Sequence, residues 1–259
     1  MNRARRPLIA GNWKLNHGGA SACTLAADIA KRTASFGKVD VLVAPPYTAL
    51  AAVAHELEGT KLTVASQNVH QKDTGAFTGE VSAPMLLESG AKWAIIGHSE
   101  RRQMFNETDA GVADKVAACL AKNLRPIACV GETLAEREAG QTLAVVCRQI
   151  DAFAKLLAAS PGVGVVAYEP VWAIGTGKVA TPEQAQEVHA AIRAQLAKIS
   201  NDLAEKTPIL YGGSMNGANA AGLLAQPDID GGLVGGASLK ADDFALIAAA
   251  AEAQATKLS

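Results

Sequence analysis

The chain is poor in several things, and each shortage excludes something. Of 259 residues only 4% are aromatic and four are cysteine. Net charge is −1, from 24 Lys+Arg against 25 Asp+Glu. No global basic field exists to hold a nucleic acid or an anionic membrane surface, so neither is expected as a partner. The longest unbroken apolar run, Phe244 to Ala251, is far below the ~20 residues of a membrane-crossing helix. The opening MNRARRPLIAG carries three Arg but no apolar stretch of secretory-signal length. Residues 1–6 read instead as a short exposed N-terminal arm. Cys23, Cys119, Cys129 and Cys147 make no CxxC pair, and a chain this long needs no disulfide framework. They read as reduced thiols of a cytoplasmic protein. The five His show no HxxxH spacing, so no metal site is expected.

What is present is a pattern. Eight short apolar runs alternate with longer Ala-rich amphipathic stretches: Leu8–Trp13, Asp40–Ala44, Leu62–Ser66, Trp93–Gly97, Pro126–Val130, Val163–Glu169, Pro208–Tyr211 and Gly231–Gly235. Runs such as VLVA and VGVVAYE are continuous in apolar residues rather than alternating. That suits strands covered on both faces, as in a parallel sheet. Between them, Asp109–Asn123, Gln141–Ala159, Ala241–Ala253 and the segment after Thr181-Pro182-Glu183 read as helices.

The residues that follow each run choose between an open sheet and a closed one. Asn12 and Lys14, Gln67 and Asn68, Gly97-His98-Ser99-Glu100, Gly131-Glu132, Glu169-Pro170, Gly212-Gly213-Ser214 and Gly235-Gly236 crowd polar groups and Gly at strand ends along nearly the whole chain. An open sheet would spread them along a line, whereas a barrel gathers them at one mouth. The expected fold is α/β: a closed parallel (β/α)8 barrel over 7–259, in one domain.

The chemistry follows from those ends. Gly residues let backbone N–H groups approach a ligand, and the pairs after the seventh and eighth strands suit a phosphate. Glu169 closes an apolar run, where desolvation makes a carboxylate a stronger base. His98 precedes a helix start, which opposes protonation and favours a neutral ring. Lys14 lies at the same mouth as a cation for an anionic substrate. Rival motifs fail. Gly175-Thr176-Gly177-Lys178 lacks the rest of a P-loop, and no GxGxxG follows the first strand, so no nicotinamide or other cofactor is expected. A carboxylate base, a His, a Lys and amides for a phosphate suit proton abstraction beside a carbonyl on a phosphorylated substrate.

The segments GNWKLN, GAFTGE, IIGHSERR, CVGET, AYEPVWAIGTGK, YGGSM and LVGGASL, in order over about residues 8 to 240, resemble the triosephosphate isomerase family. The resemblance implies a TIM barrel and an aldose–ketose isomerase of glycolysis and gluconeogenesis, interconverting dihydroxyacetone phosphate and D-glyceraldehyde 3-phosphate. It makes Glu169 the base and neutral His98 the electrophile. Lys14 and Asn12 become catalytic and substrate-binding, and Gly175, Ser214, Gly235 and Gly236 phosphate-binding. Glu100 is a supporting carboxylate, and Pro170–Thr181 a lid loop closing over the phosphate. Within the connection Gln67–Ser82, Thr78 would contact a neighbouring subunit in a homodimer. Met215 departs from the family's usual Val. Two alternatives stay open: a Schiff-base phosphosugar aldolase using Lys14, and a non-catalytic phosphate-binding protein.

Overall fold

Eight strands form the centre of the molecule: β1 (Leu8–Asn12), β2 (Asp40–Ala44), β3 (Thr63–Ser66), β4 (Trp93–Ile96), β5 (Arg125–Val130), β6 (Val165–Tyr168), β7 (Ile209–Tyr211) and β8 (Gly231–Val234). All pair in parallel with their neighbours in sequence, and β1 pairs with both β2 and β8, so the sheet closes. The closed (β/α)8 architecture expected from the strand ends is therefore the observed one. Each predicted strand is present: β2 coincides, β5 starts one residue earlier, and the others lose one to three residues at their ends. The computed structural model describes residues 5–173 and 180–257.

The side-chain period explains why the strands read as unbroken apolar runs. Alternate residues point to opposite faces of a strand. Leu8, Ala10, Leu42, Ile95, Cys129, Ala167, Leu210 and Leu233 fill the barrel interior as one cluster. Their neighbours Ile9, Val43, Ile96, Val130, Val166 and Val234 face outward and belong to a second cluster packed under the helices. Neither face meets water, so neither carries polar residues.

Local signals set the helix starts. Thr181 caps the helix Pro182–Ile199 by accepting the Gln184 N–H, and Gln184 returns the bond to the Thr181 N–H at 3.0 Å. His98 caps Ser99–Met104 in the same role. The predicted helices at 109–123, 141–159 and 241–253 are observed as Asp109–Ala121, Thr142–Leu157 and Ala241–Lys257.

The N-terminal arm departs from expectation at Arg5. Its guanidinium is buried, with Nε on Asp230 Oδ1 at 2.8 Å and weaker bonds to the carbonyls of Glu205 and Pro227. A buried carboxylate at the start of β8 draws this Arg inward; Arg6, its neighbour, is exposed.

Candidate active site

Strand geometry brings the predicted residues to one mouth. Asn12 ends β1 and is buried, and its Oδ1 accepts the Lys14 N–H at 3.1 Å. Lys14 sits in the left-handed region at φ 50°, which a side chain other than Gly rarely adopts. Two contacts hold it there. Gln67 Nε2 donates to the Lys14 carbonyl at 2.9 Å, and Lys14 Nζ pairs with Glu100 Oε1 at 2.6 Å. The strained turn points the ammonium back across the mouth.

At the end of β4, Gly97 turns the chain at φ 69°. A Cβ there would lie 2.7 Å from Val112 Cγ2, so both conformation and space require Gly. His98 follows, buried, with Nδ1 accepting the Glu100 N–H at 3.3 Å. That bond puts the ring proton on Nε2, which faces Glu169 Oε1 at 3.1 Å.

Glu169 leaves β6 almost wholly buried, at 1% exposure. Its Oε2 accepts the Ser99 N–H at 2.9 Å and its Oε1 the Ser99 hydroxyl at 3.0 Å. A buried carboxylate without partners would be strongly unfavourable, and these donors together with His98 satisfy it. The glycines beside it are there for room. A Cβ on Gly212 would stand 2.8 Å from Glu169 Cγ, and one on Gly131 would overlap the Glu169 carbonyl.

A pocket of about 580 Å³ is lined by Asn12, Lys14, His98, Ser214, Gly235 and Gly236, among others. Glu169 opens onto an adjoining hollow of about 380 Å³, which shares Ser99, Gln103 and Val171 with the first. Held by Ser99, the carboxylate stands beside the pocket rather than in it. Gly236 begins a 3₁₀ turn to Leu239, and the Gly235 carbonyl accepts both the N–H and the hydroxyl of Ser238, leaving these backbones free of side-chain cover. Met215 is buried in the same lining, and its sulfur occupies the space a Cβ on Gly232 would need.

Not every predicted residue joins the pocket. Gly175, with residues 174–179 of the expected lid, lies outside the described residues. Thr78 is exposed and does not line the pocket; its neighbour Phe77 rests on the His70 ring at 4.2 Å. Cys129 lies inside the barrel, and burial pushes its thiol well above the ordinary range.

Two residues carry more than the sequence reading gave them. Ser99 supplies two of the hydrogen bonds to Glu169. Glu132, fully buried at the end of β5, accepts from the Tyr168 hydroxyl and from Trp172 Nε1 at 2.9 Å and pairs with Arg137 at 3.3 Å, while Arg137 stacks on the Trp172 ring. It thus ties down the segment from which the expected lid departs. Its place directly after an apolar strand was the available signal.

The model of one family, triosephosphate isomerase, matches residues 7–251. The triosephosphate isomerase of Delftia acidovorans is 56% identical over 248 residues, 96% of this chain and 100% of the relative. That of Paracidovorax citrulli is 57% identical over 249 residues, covering 95% and 99%. An Escherichia coli relative of the same name, from strain O1:K1 / APEC, is 52% identical over 250 residues, covering 96% and 98%. With the family's pattern matched from β1 to the last helix, the chain belongs to the triosephosphate isomerase family.

Proposed function

We propose that this chain interconverts dihydroxyacetone phosphate and D-glyceraldehyde 3-phosphate through an enediol(ate). The observation that carries the reading is the meeting of the Glu169 carboxylate with His98 Nε2 at 3.1 Å, beside a pocket lined by Lys14 and the Gly235-Gly236 backbone. In the forward direction Glu169 leaves Ser99 and takes a proton from C1 of the ketose. His98, with its proton on Nε2, donates to the carbonyl oxygen as the C1–C2 double bond forms. Glu169 then returns its proton to C2 while the deprotonated His98 Nε2 takes the proton of the C1 hydroxyl, which becomes the carbonyl of the aldose, and both residues are restored. The rearrangement is redox neutral and moves protons within one molecule, so its stoichiometry calls for no cofactor. Asn12 and Lys14 face the developing negative charge, and the backbones of Ser214, Gly235 and Gly236, with Gly175 from the lid, hold the phosphate. Glu100 orients Lys14 through the 2.6 Å ion pair.

The same ion pair weighs against the aldolase reading, because an ammonium held on a carboxylate is a poor nucleophile. The phosphate-only reading leaves the Glu169–His98 contact without purpose.

The chain acts in glycolysis and gluconeogenesis in the cytoplasm, as a homodimer. Support for the dimer comes from apolar side chains left uncovered on the connections after β1 to β4: Leu15 (96% exposed), Tyr47, Phe77, Met85 and Phe105. Adjacent strands put these on one side of the mouth, with Thr78 among them. No helix among the described residues is long and apolar enough to cross a membrane.

Purified protein should interconvert the two triose phosphates in a coupled assay, and Glu169→Asp, one methylene shorter, should lose most of that turnover. No activity in the parent protein, or none lost in the variant, rejects the reading. Sedimentation of the Thr78→Arg variant should show the monomer.

A further inference from the structure

The opposite mouth of the barrel holds a hollow of about 400 Å³ that the isomerase reading does not use. Its lining comes from the N-terminal ends of most of the strands, including Leu8 of β1, Trp93 of β4, Arg125 of β5 and Val165 of β6. Among its lining residues are three cations, Arg6, Arg125 and Lys206, and one acid, Asp40.

Arg125 is the unusual member. The guanidinium carbon lies over the Trp93 ring, 3.7 Å from its centroid. Its Nε donates to the Val163 carbonyl at 3.0 Å and its Nη2 to the Gly162 carbonyl at 3.1 Å. Nη1 has no hydrogen-bond acceptor among the described residues. No carboxylate among them comes within the 4.0 Å of an ion pair with this guanidinium, whereas Arg6 holds Asp40 at 2.5 Å and Lys206 holds Asp202 at 2.8 Å. Arg125 is half-buried, and burial pulls its ionisation below the usual range against the opposing field of Asp40, which makes no ion pair with it. The Trp93 stack and the two carbonyl bonds fix the fork, so an incoming oxyanion meets a donor already oriented.

We infer that the N-terminal mouth of the barrel is a second binding site, which takes a small oxyanion carrying two negative charges on Arg125, with Arg6 and Lys206 around it. Both a phosphate group and a small dicarboxylate have this chemistry. A dianion can pair with Arg125 and draw further on Arg6 and Lys206, each already held by one carboxylate, and a polyanionic polymer finds no extended basic surface on a chain with net charge −1.

The position of the three tryptophans makes the site readable without relying on turnover. Trp13 and Trp172 follow β1 and β6 at the catalytic mouth, and Trp93 alone stands at the other end. In a ¹H–¹⁵N spectrum of the whole protein, with the Trp93 indole assigned from Trp93→Phe, inorganic phosphate and succinate are titrated in separate arms. The Trp93 signal should move and saturate with a Kd of about 1 mM or tighter in at least one arm, and added KCl should weaken that binding. The phosphate-only and succinate-only outcomes distinguish the two sources. Arg125→Gln should abolish the movement while triose phosphate turnover stays within about twofold. Lys206→Gln, an exposed change that leaves the fold alone, should weaken the affinity about threefold. A Trp93 signal that stays still in both arms overturns the inference. So does one that moves equally in Arg125→Gln or, should that variant not fold, equally in Lys206→Gln.

Discussion

The two mouths of this barrel are built from the same eight strands and carry opposite chemistry. At the C-terminal mouth each strand feeds a helix start, so free backbone N–H groups point inward and the acceptors they attract are anionic. Glu169 takes the Ser99 N–H, and Glu136 takes the Thr133 N–H. At the N-terminal mouth every strand after β1 is fed by the segment that follows a helix end, so free carbonyls collect there and draw arginines. Arg5 donates to Glu205 and Pro227, Arg6 to Gly37, Arg125 to Gly162 and Val163, and Arg193 to Ala204 and Thr207. Helix polarity sorts the charges before any ligand does. The pocket proposed as catalytic is left nearly neutral, with Lys14 against Glu100, so on that reading backbone N–H groups would grip the phosphate. The other mouth is left cationic. Damage at the first mouth should therefore appear as lost activity, and damage at the second as lost stability.

The largest break expected is Glu169→Gln. The amide keeps the size and one acceptor but cannot take a proton, so kcat should fall by about 10³ to 10⁴, with only a modest fall in melting temperature from the amide nitrogen meeting a donor where the carboxylate accepted. A variant that melts early while keeping turnover would erase the contrast. Next in size, His98→Ala should lower kcat by about 10² to 10³, through loss of a donor to the developing oxyanion, and move KM little. Lys14→Ala should do the reverse and act mainly on KM. Steady-state kinetics on the pair test this, and a swapped pattern would mean the two roles are exchanged.

A third effect belongs to neither mouth. His189 is fully buried on the outer face of the sheet, edge-on to Tyr168 at 5.6 Å, with Nδ1 donating to the Ala185 carbonyl at 2.7 Å. Burial pushes its pKa down to about 4. The unfolded chain protonates this ring below about 6.5 while the folded chain does not, so stability is full above 6.5 and falls on acidification towards 4. Between pH 6.5 and 4.5 the loss should be about 2 to 3 kcal/mol, read from urea midpoints. Carboxylates held low by their partners, Glu107 and Asp228, begin to contribute only below that window. His189→Gln should flatten the curve; an unchanged slope would place the acid sensitivity elsewhere.

How much of this was legible beforehand follows from distance along the chain. Strands and their ends are local signals, so all eight strands and the residues closing them could be read directly. A ring of strands gathers those ends wherever they lie in sequence, which is why Asn12, His98, Glu169 and Gly235 could be grouped without a structure. Partnership between two particular side chains is a different matter. Ser99 and Glu169 are 70 residues apart, and nothing in either neighbourhood says that the serine supplies two of the carboxylate's bonds. Glu132 likewise needs Trp172 and Tyr168 from the next strand. Arg5 was read as part of an exposed arm because its partner, Asp230, lies 225 residues away.

That last pair supplies the smallest effect and the cleanest test of the cationic mouth. Asp230 is fully buried and its carboxylate holds three donors, Arg5 Nε on Oδ1 and Arg193 Nη2 at 2.6 Å with the Ile209 N–H at 3.0 Å on Oδ2, while its own N–H donates to the Ile209 carbonyl. Removing Arg5 therefore does not strand the carboxylate, because Arg193 still neutralises it. The loss is one charge-assisted bond and the packing of one stem, so Arg5→Met should destabilise by about 1 to 2 kcal/mol, below the 3 to 5 of a buried charge left alone. Turnover should be unaffected, since Asp230 opens β8 at the end opposite Gly235. Denaturant midpoints measure the first and the coupled assay the second. If Arg5→Met lowered kcat at full stability, the two mouths would be coupled through β8, and the separation of chemistry from scaffold would fail at this strand.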